Sequence, residues 1–149
     1  MTSEVLDRDV RLFVFQQFVE TTRPPSAQVT ALAMGITLAD AAAAYDRLAS
    51  NRVLVLEPGT HDIRMANPLS AIPTAFPVSV GGKDLYGSCI WDALGVVAML
   101  GGTGTILSSC ACCDESMPLD VTNLKLRPVT GVVHFAVPAA HWWDDIVYT

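Results

Sequence analysis

Apolar positions in the first third of the chain recur at the 3.6-residue spacing of helices. Across residues 9–20, Val10, Phe13, Val14 and Phe18 fall on one side, while Arg11, Gln16 and Gln17 take the other. Pro24 and Pro25 then break the pattern. Ser26 is placed to cap a short second helix with a stripe of Val29, Leu32 and Ala33, and Gly35 stands where a left-handed C-cap belongs. A third helix follows, with Thr37 and Asp40 spaced as a capping box, Leu38, Ala41, Ala44, Tyr45 and Leu48 on its buried side, and Asn51 closing it.

The period then shortens. Residues 53–57 and 62–65 are aliphatic or alternating runs separated by Pro58-Gly59, which predicts a β-hairpin. Three helices followed by a hairpin is the order of a winged-helix module, whose third helix reads DNA. Here that helix offers Asp40, Asp46, four consecutive alanines and only Arg47 to meet a phosphate, so the expected role is packing or substrate access, not DNA binding. Residues 67–76, with Pro68 and Pro73, read as a linker, which places a boundary between units 1–70 and 71–149.

Beyond it the pattern predicts a strand at 78–80, a Gly81-Gly82 turn, a strand ending near Tyr86, and a helix over 89–100 stopped by Gly101-Gly102. Short strands at 104–109, 119–122, 124–127 and 132–137 come next, and residues 139–148 form a closing helix or strand. The expected fold class is α+β: a three-helix winged-helix-like module, then a small mixed or antiparallel sheet carrying one helix.

Composition narrows the function. Half of the 149 residues are hydrophobic (51%) and 16% are charged, the balance of a chain with a packed core. The formal net charge of −6 disfavours an affinity built on neutralising phosphates. The N-terminal segment has no signal-peptide pattern, and the longest apolar stretch, 93–100, is far below the roughly 20 residues that span a bilayer. A cytoplasmic protein without a membrane segment is expected. Three of the four cysteines crowd into Cys110, Cys112 and Cys113, which is no disulfide framework, so thiols are expected to be free for metal or catalysis.

The most informative run is Tyr86-Gly87-Ser88-Cys89-Ile90-Trp91-Asp92-Ala93-Leu94. It puts a thiol at a helix start and a carboxyl three residues on, so both can meet one ligand. The helix amides are expected to lower the Cys89 pKa, and Asp92 to hold or deliver a proton. The same residues read equally as a small buried hydrophobe and a helix cap.

The run YGSCIWDALGVVAMLG with TGTILSSCACCDESMPLDV resembles the organomercurial (alkylmercury) lyase family, whose pattern is a Tyr-Gly pair, a cysteine, an aspartate three on, then Ala-Leu. The N-terminal helices, the Pro-containing linker and the closing VHFAVPAAHWWDDIVYT also look like that family, so the resemblance spans nearly the whole chain. It implies protonolytic cleavage of a carbon–mercury bond to hydrocarbon and Hg(II). By the same resemblance Cys89 is the mercury-binding thiol, Asp92 the proton shuttle and an oxygen contact to the metal, and Cys110 a cysteine serving structure more than catalysis. No cofactor is implied: mercury is substrate and product, external thiols release it, and Hg(II) passes on to a mercuric reductase. The family carries a second catalytic cysteine after the equivalent of the VYT segment, and this sequence ends at Thr149, so a truncated or inactive member is one expectation.

Cys110, Cys112 and Cys113 are the secondary metal candidates, as a Cys-x-Cys-Cys clasp for a soft ion; the paired spacing of structural zinc is absent. His134 and His141, with Asp144 and Asp145, are weaker candidates, and Trp142 and Trp143 are expected to pack on the sheet or linker. Neither glycine-rich turn has a phosphate-loop lysine spacing. The alternative class is a thiol-based soft-metal sensor whose helical module reads DNA.

Overall fold

The structure, a computed structural model, describes residues 2–147. Helices α1 (Ser3–Thr21), α2 (Ala27–Met34) and α3 (Leu38–Ser50) come first. Strands β1 (Leu54–Leu56), β2 (Ile63–Ala66) and β3 (Leu69–Ser70) form an antiparallel sheet in that order. A second antiparallel sheet, ordered β5-β4-β6-β7-β8, is built from β4 (Pro77–Val80), β5 (Lys83–Tyr86), β6 (Gly104–Ile106), β7 (Leu119–Thr122) and β8 (Lys125–Leu126). Helix α4 (Ile90–Met99) connects β5 to β6, and a 3₁₀ helix spans Ala139–Asp144.

Helix α1 starts well before the predicted residue 9: Leu6 in its early turns packs against the core, and Val10, Val14 and Phe18 are its buried stripe. The caps of α2 and α3 form as the sequence predicts: Val29 N–H donates to Ser26 Oγ at 3.2 Å, and Asp40 N–H to Thr37 Oγ1 at 3.0 Å. The buried face of α2 differs from prediction. Ala27, Thr30 and Ala31 turn inward, while Val29 and Leu32 are exposed. A polar pair sets this rotation: Thr30 Oγ1 lies 2.7 Å from the Tyr45 hydroxyl, which donates to the Pro25 carbonyl at 3.1 Å. Leu38 is likewise exposed, and Ala41, Ala44, Tyr45 and Leu48 form the inner face of α3. Replacing Tyr45 by Phe strands the buried Thr30 hydroxyl and the Pro25 carbonyl. The expected loss is roughly 1–3 kcal/mol, read as a lower denaturant midpoint at unchanged slope.

Arg47, the one cation on α3, is engaged within the molecule: its guanidinium grips both carboxylate oxygens of Asp7 at 2.6–3.1 Å. Asp7 therefore takes the charge that a DNA-reading helix would turn outward.

Within the predicted linker lies β3. Ala66 pairs with Leu69 and Met65 with Ser70, and Leu69 also bridges to Gly87 in the segment after β5. Leu69 is fully buried, so the short strand ties the first sheet to the stretch that carries Cys89. Helix α4 packs on the second sheet through Ala93, Val96 and Val97, which join Val78, Val80 and Ile106 in a core continuous with that of the helices. No single helix among the described residues is long and apolar enough to cross a membrane.

Three predicted strands shrink or vanish. The one at 104–109 ends at Ile106, that at 124–127 is reduced to Lys125–Leu126, and 132–137 forms no strand. Val132 is exposed, and Gly131 before it takes a φ of 138°, outside strand geometry. The closing segment is a 3₁₀ helix instead of a regular helix or strand, and Tyr148 at its predicted end lies outside the described residues. Trp142 packs on Phe135, with ring centroids 5.0 Å apart, and the Arg52 guanidinium lies 5.4 Å from the Trp143 ring centroid.

Candidate active site

Cys89 is the N-cap of α4, one residue outside the helix the sequence had starting with it. Its extended backbone (φ −142°, ψ −179°) turns the thiol back over the first turn, where Sγ accepts the Asp92 N–H at 3.5 Å. Sulfur here takes the position that Ser, Thr, Asp or Asn usually fills. Asp92 occupies the third helical position, from which a capping-box side chain reaches back toward the cap, so its carboxyl and the Cys89 thiol influence each other electrostatically. Both groups are partly buried.

The approach to Cys89 is fixed by backbone contacts. Gly87 N–H donates to the Phe76 carbonyl at 3.1 Å, and Thr74 Oγ1 donates to the Gly87 carbonyl at 2.6 Å. Gly87 also lies against the first turn of α4: a Cβ there would sit 2.4 Å from Ala93 N. The role of Gly87 was not foreseen, because a close approach across six residues has no local signature apart from the glycine itself. Two neighbours of Cys89 add to the site. The Ser88 hydroxyl is buried with no hydrogen-bond partner among the described residues, and Trp91 is exposed beside the pair.

Electrostatics at the pair differ from expectation. Burial pushes the Cys89 thiol up from its ordinary value, reinforced by the Asp92 carboxyl; the N–H groups of Asp92 and Trp91 oppose this without prevailing. The helix end does not yield a low-pKa thiolate. Burial also raises the Asp92 carboxyl, against the lowering effect of hydrogen bonds from Cys89. A carboxyl raised in this way holds its proton more tightly in the folded chain than in the unfolded one. Its contribution to stability is complete below the ordinary carboxylate range and is lost as pH rises through the raised value. Asp92→Asn, neutral throughout, is therefore expected to gain thermal stability relative to the unsubstituted chain between acid and neutral pH, read as the difference in Tm across a pH series.

The other cysteines sit on the loop between β6 and β7. Cys110 N–H donates to the Glu115 carbonyl at 2.8 Å, Asp114 N–H to the Cys110 carbonyl at 2.9 Å, and a Ser109–Ser116 bridge closes the base. Cys110 is half-buried, and Cys112 and Cys113 are exposed. The Cys110 thiol is lowered by the Cys112 N–H and by the thiol and N–H of Cys113. Among the described residues no three His, Cys, Asp or Glu side chains converge as a preformed metal site, so the structure adds no third such ligand to Cys89 and Asp92. His134 is exposed and outside any strand, and His141 pairs with Asp144 at 2.9 Å.

Residues 69–149 match the family model for alkylmercury lyase. Among solved structures, the chain is similar to the mercury-bound form of MerB2, with a TM-score of 0.67 and 24% identity over 82% of this chain and 58% of that one. The likeness at that identity is one of fold, and the chain spans 58% of that protein's length. No curated protein matches.

Proposed function

Because this chain belongs to the alkylmercury lyase family, we propose that it cleaves carbon–mercury bonds by protonolysis at Cys89 and Asp92. The observation that carries this reading is the thiol–carboxyl pair at the start of α4, inside the matched residues. Mercury is soft and prefers sulfur, so R–Hg⁺ is captured by Cys89. The thiol proton passes to the Asp92 carboxylate as the sulfur–mercury bond forms. Asp92 then returns that proton to the carbon: the carbon–mercury bond breaks, hydrocarbon R–H leaves, and Hg(II) stays between the Cys89 sulfur and the carboxylate. No electron is gained or lost by the protein.

The raised pKa values suit these roles. Cys89 holds a proton until mercury displaces it, and a carboxylate whose proton affinity is raised by burial is suited to take that proton and carry it to the carbon. Two small-molecule thiols remove Hg(II) as a bis-thiolate: one of their protons returns to the Cys89 sulfur as its bond to mercury breaks, and the other leaves to solvent. That complex is suited to handover to a mercuric reductase in a thiol-rich cytoplasm, as part of mercury resistance. The N-terminal helices, in a winged-helix-like order, cover the catalytic unit.

Phenylmercury with excess small thiol provides the test. Benzene should accumulate in the headspace beyond one equivalent of protein, and benzene no higher than with Cys89→Ser would overturn the assignment.

A further inference from the structure

Residues 110–115 hold three of the four cysteines in one loop pinned at its base by main-chain hydrogen bonds. Asp114 N–H donates to the Cys110 carbonyl at 2.9 Å, a turn of helical reach that places Cys110 and Cys113, three residues apart, on the same side of the loop. A ligand needs no large rearrangement to find two sulfurs there. The absence of a converging third ligand among the described residues disfavours tetrahedral zinc and suits an ion that takes two thiolates.

Topology relates this loop to the α4 site. Strands β5 and β6 flank β4, both antiparallel to it. Tyr86 at the end of β5 pairs with Pro77, and Leu107 N–H just past β6 donates to the Pro77 carbonyl. The segments leading to Cys89 and to Cys110 therefore leave the same end of the sheet, from strands about 10 Å apart, two inter-strand spacings.

We propose that Cys110 and Cys113 form a second soft-cation site that takes Hg(II) released at Cys89. Each thiol gives its proton to solvent as its sulfur takes the metal, with no change of oxidation state. Two thiols on one closed loop present a high effective concentration to the ion, so a free monothiol competes poorly. The delivery step rests on the function proposed above; the metal site itself does not.

Native mass spectrometry of the intact chain with mercuric chloride under excess monothiol tests the site. Cys89→Ser should keep one mercuric ion, and adding Cys113→Ser or Cys110→Ser to it should remove that ion. Cys112→Ser in the same background should retain it. Cys113 is exposed, so its serine variant should keep the melting temperature, which separates loss of the ion from loss of the fold. Retention of the ion in the Cys89→Ser/Cys113→Ser chain, or its absence from Cys89→Ser, would overturn the proposal. Loss confined to the loop variants, together with no hydrocarbon release by the unsubstituted chain, would uphold the metal site and refute the lyase reading alone.

Discussion

Asp92→Asn is expected to separate capture of an organomercurial from its cleavage. The cap contact to Cys89 Sγ comes from the backbone N–H of residue 92, which the substitution leaves in place, so the thiol keeps its position. What disappears is the carboxyl proton. Loss of a positioned general acid costs about 10²–10⁴-fold in rate. The variant should accumulate a phenylmercury adduct on Cys89, visible by intact mass, while benzene release falls by that factor. Cys89→Ser should lose both adduct and release. Turnover by Asp92→Asn at the unsubstituted rate would remove Asp92 from the chemistry.

The second large effect is expected at Gly87. A methyl group there would lie 2.4 Å from Ala93 N, 2.6 Å from its Cα and 2.8 Å from its Cβ, and backbone cannot swing aside as a flexible side chain would. Gly87 is held on its other side by Phe76, Thr74 and Leu69, so the strain must move the first turn of α4. Gly87→Ala should cost at least about 3 kcal/mol, the upper range for overpacking, and displace the Cys89–Asp92 pair. Denaturant unfolding reads the first effect, and the rate of phenylmercury adduct formation in the folded variant reads the second. Replacing the neighbouring Ser88 by Ala provides contrast: it introduces no such clash and removes a buried hydroxyl that lacks a partner among the described residues.

Features set by neighbouring residues were legible in the sequence. The Ser26 and Thr37 caps, the turn at Gly35 and the strand Leu119–Thr122 follow local rules, and so does the three-residue spacing that brings Cys89 and Asp92 together. Features set by distant partners were not. Thr30 turns inward only because Tyr45 is there to meet its hydroxyl, and β3 exists in a proline-containing stretch because Leu69 finds partners in Ala66 and Gly87. The direction of the Cys89 pKa shift belongs with these. A helix start alone lowers a thiol, whereas the packing that buries Cys89 comes from the fold as a whole and outweighs it. Residues 132–137 show the converse: the apolar run is present, yet no strand forms.

Membership of the alkylmercury lyase family makes the source of the hydrocarbon's new hydrogen the most direct point at which to test protonolysis. The measurement is the isotopic composition of benzene released from phenylmercury in D₂O with excess thiol. Transfer of an exchangeable proton through Asp92 predicts benzene carrying one deuterium at the cleaved carbon, formed in multiple turnovers and suppressed in Asp92→Asn. Release of biphenyl, or of benzene without deuterium, would contradict the account, because the bond would then have broken without a proton from the enzyme.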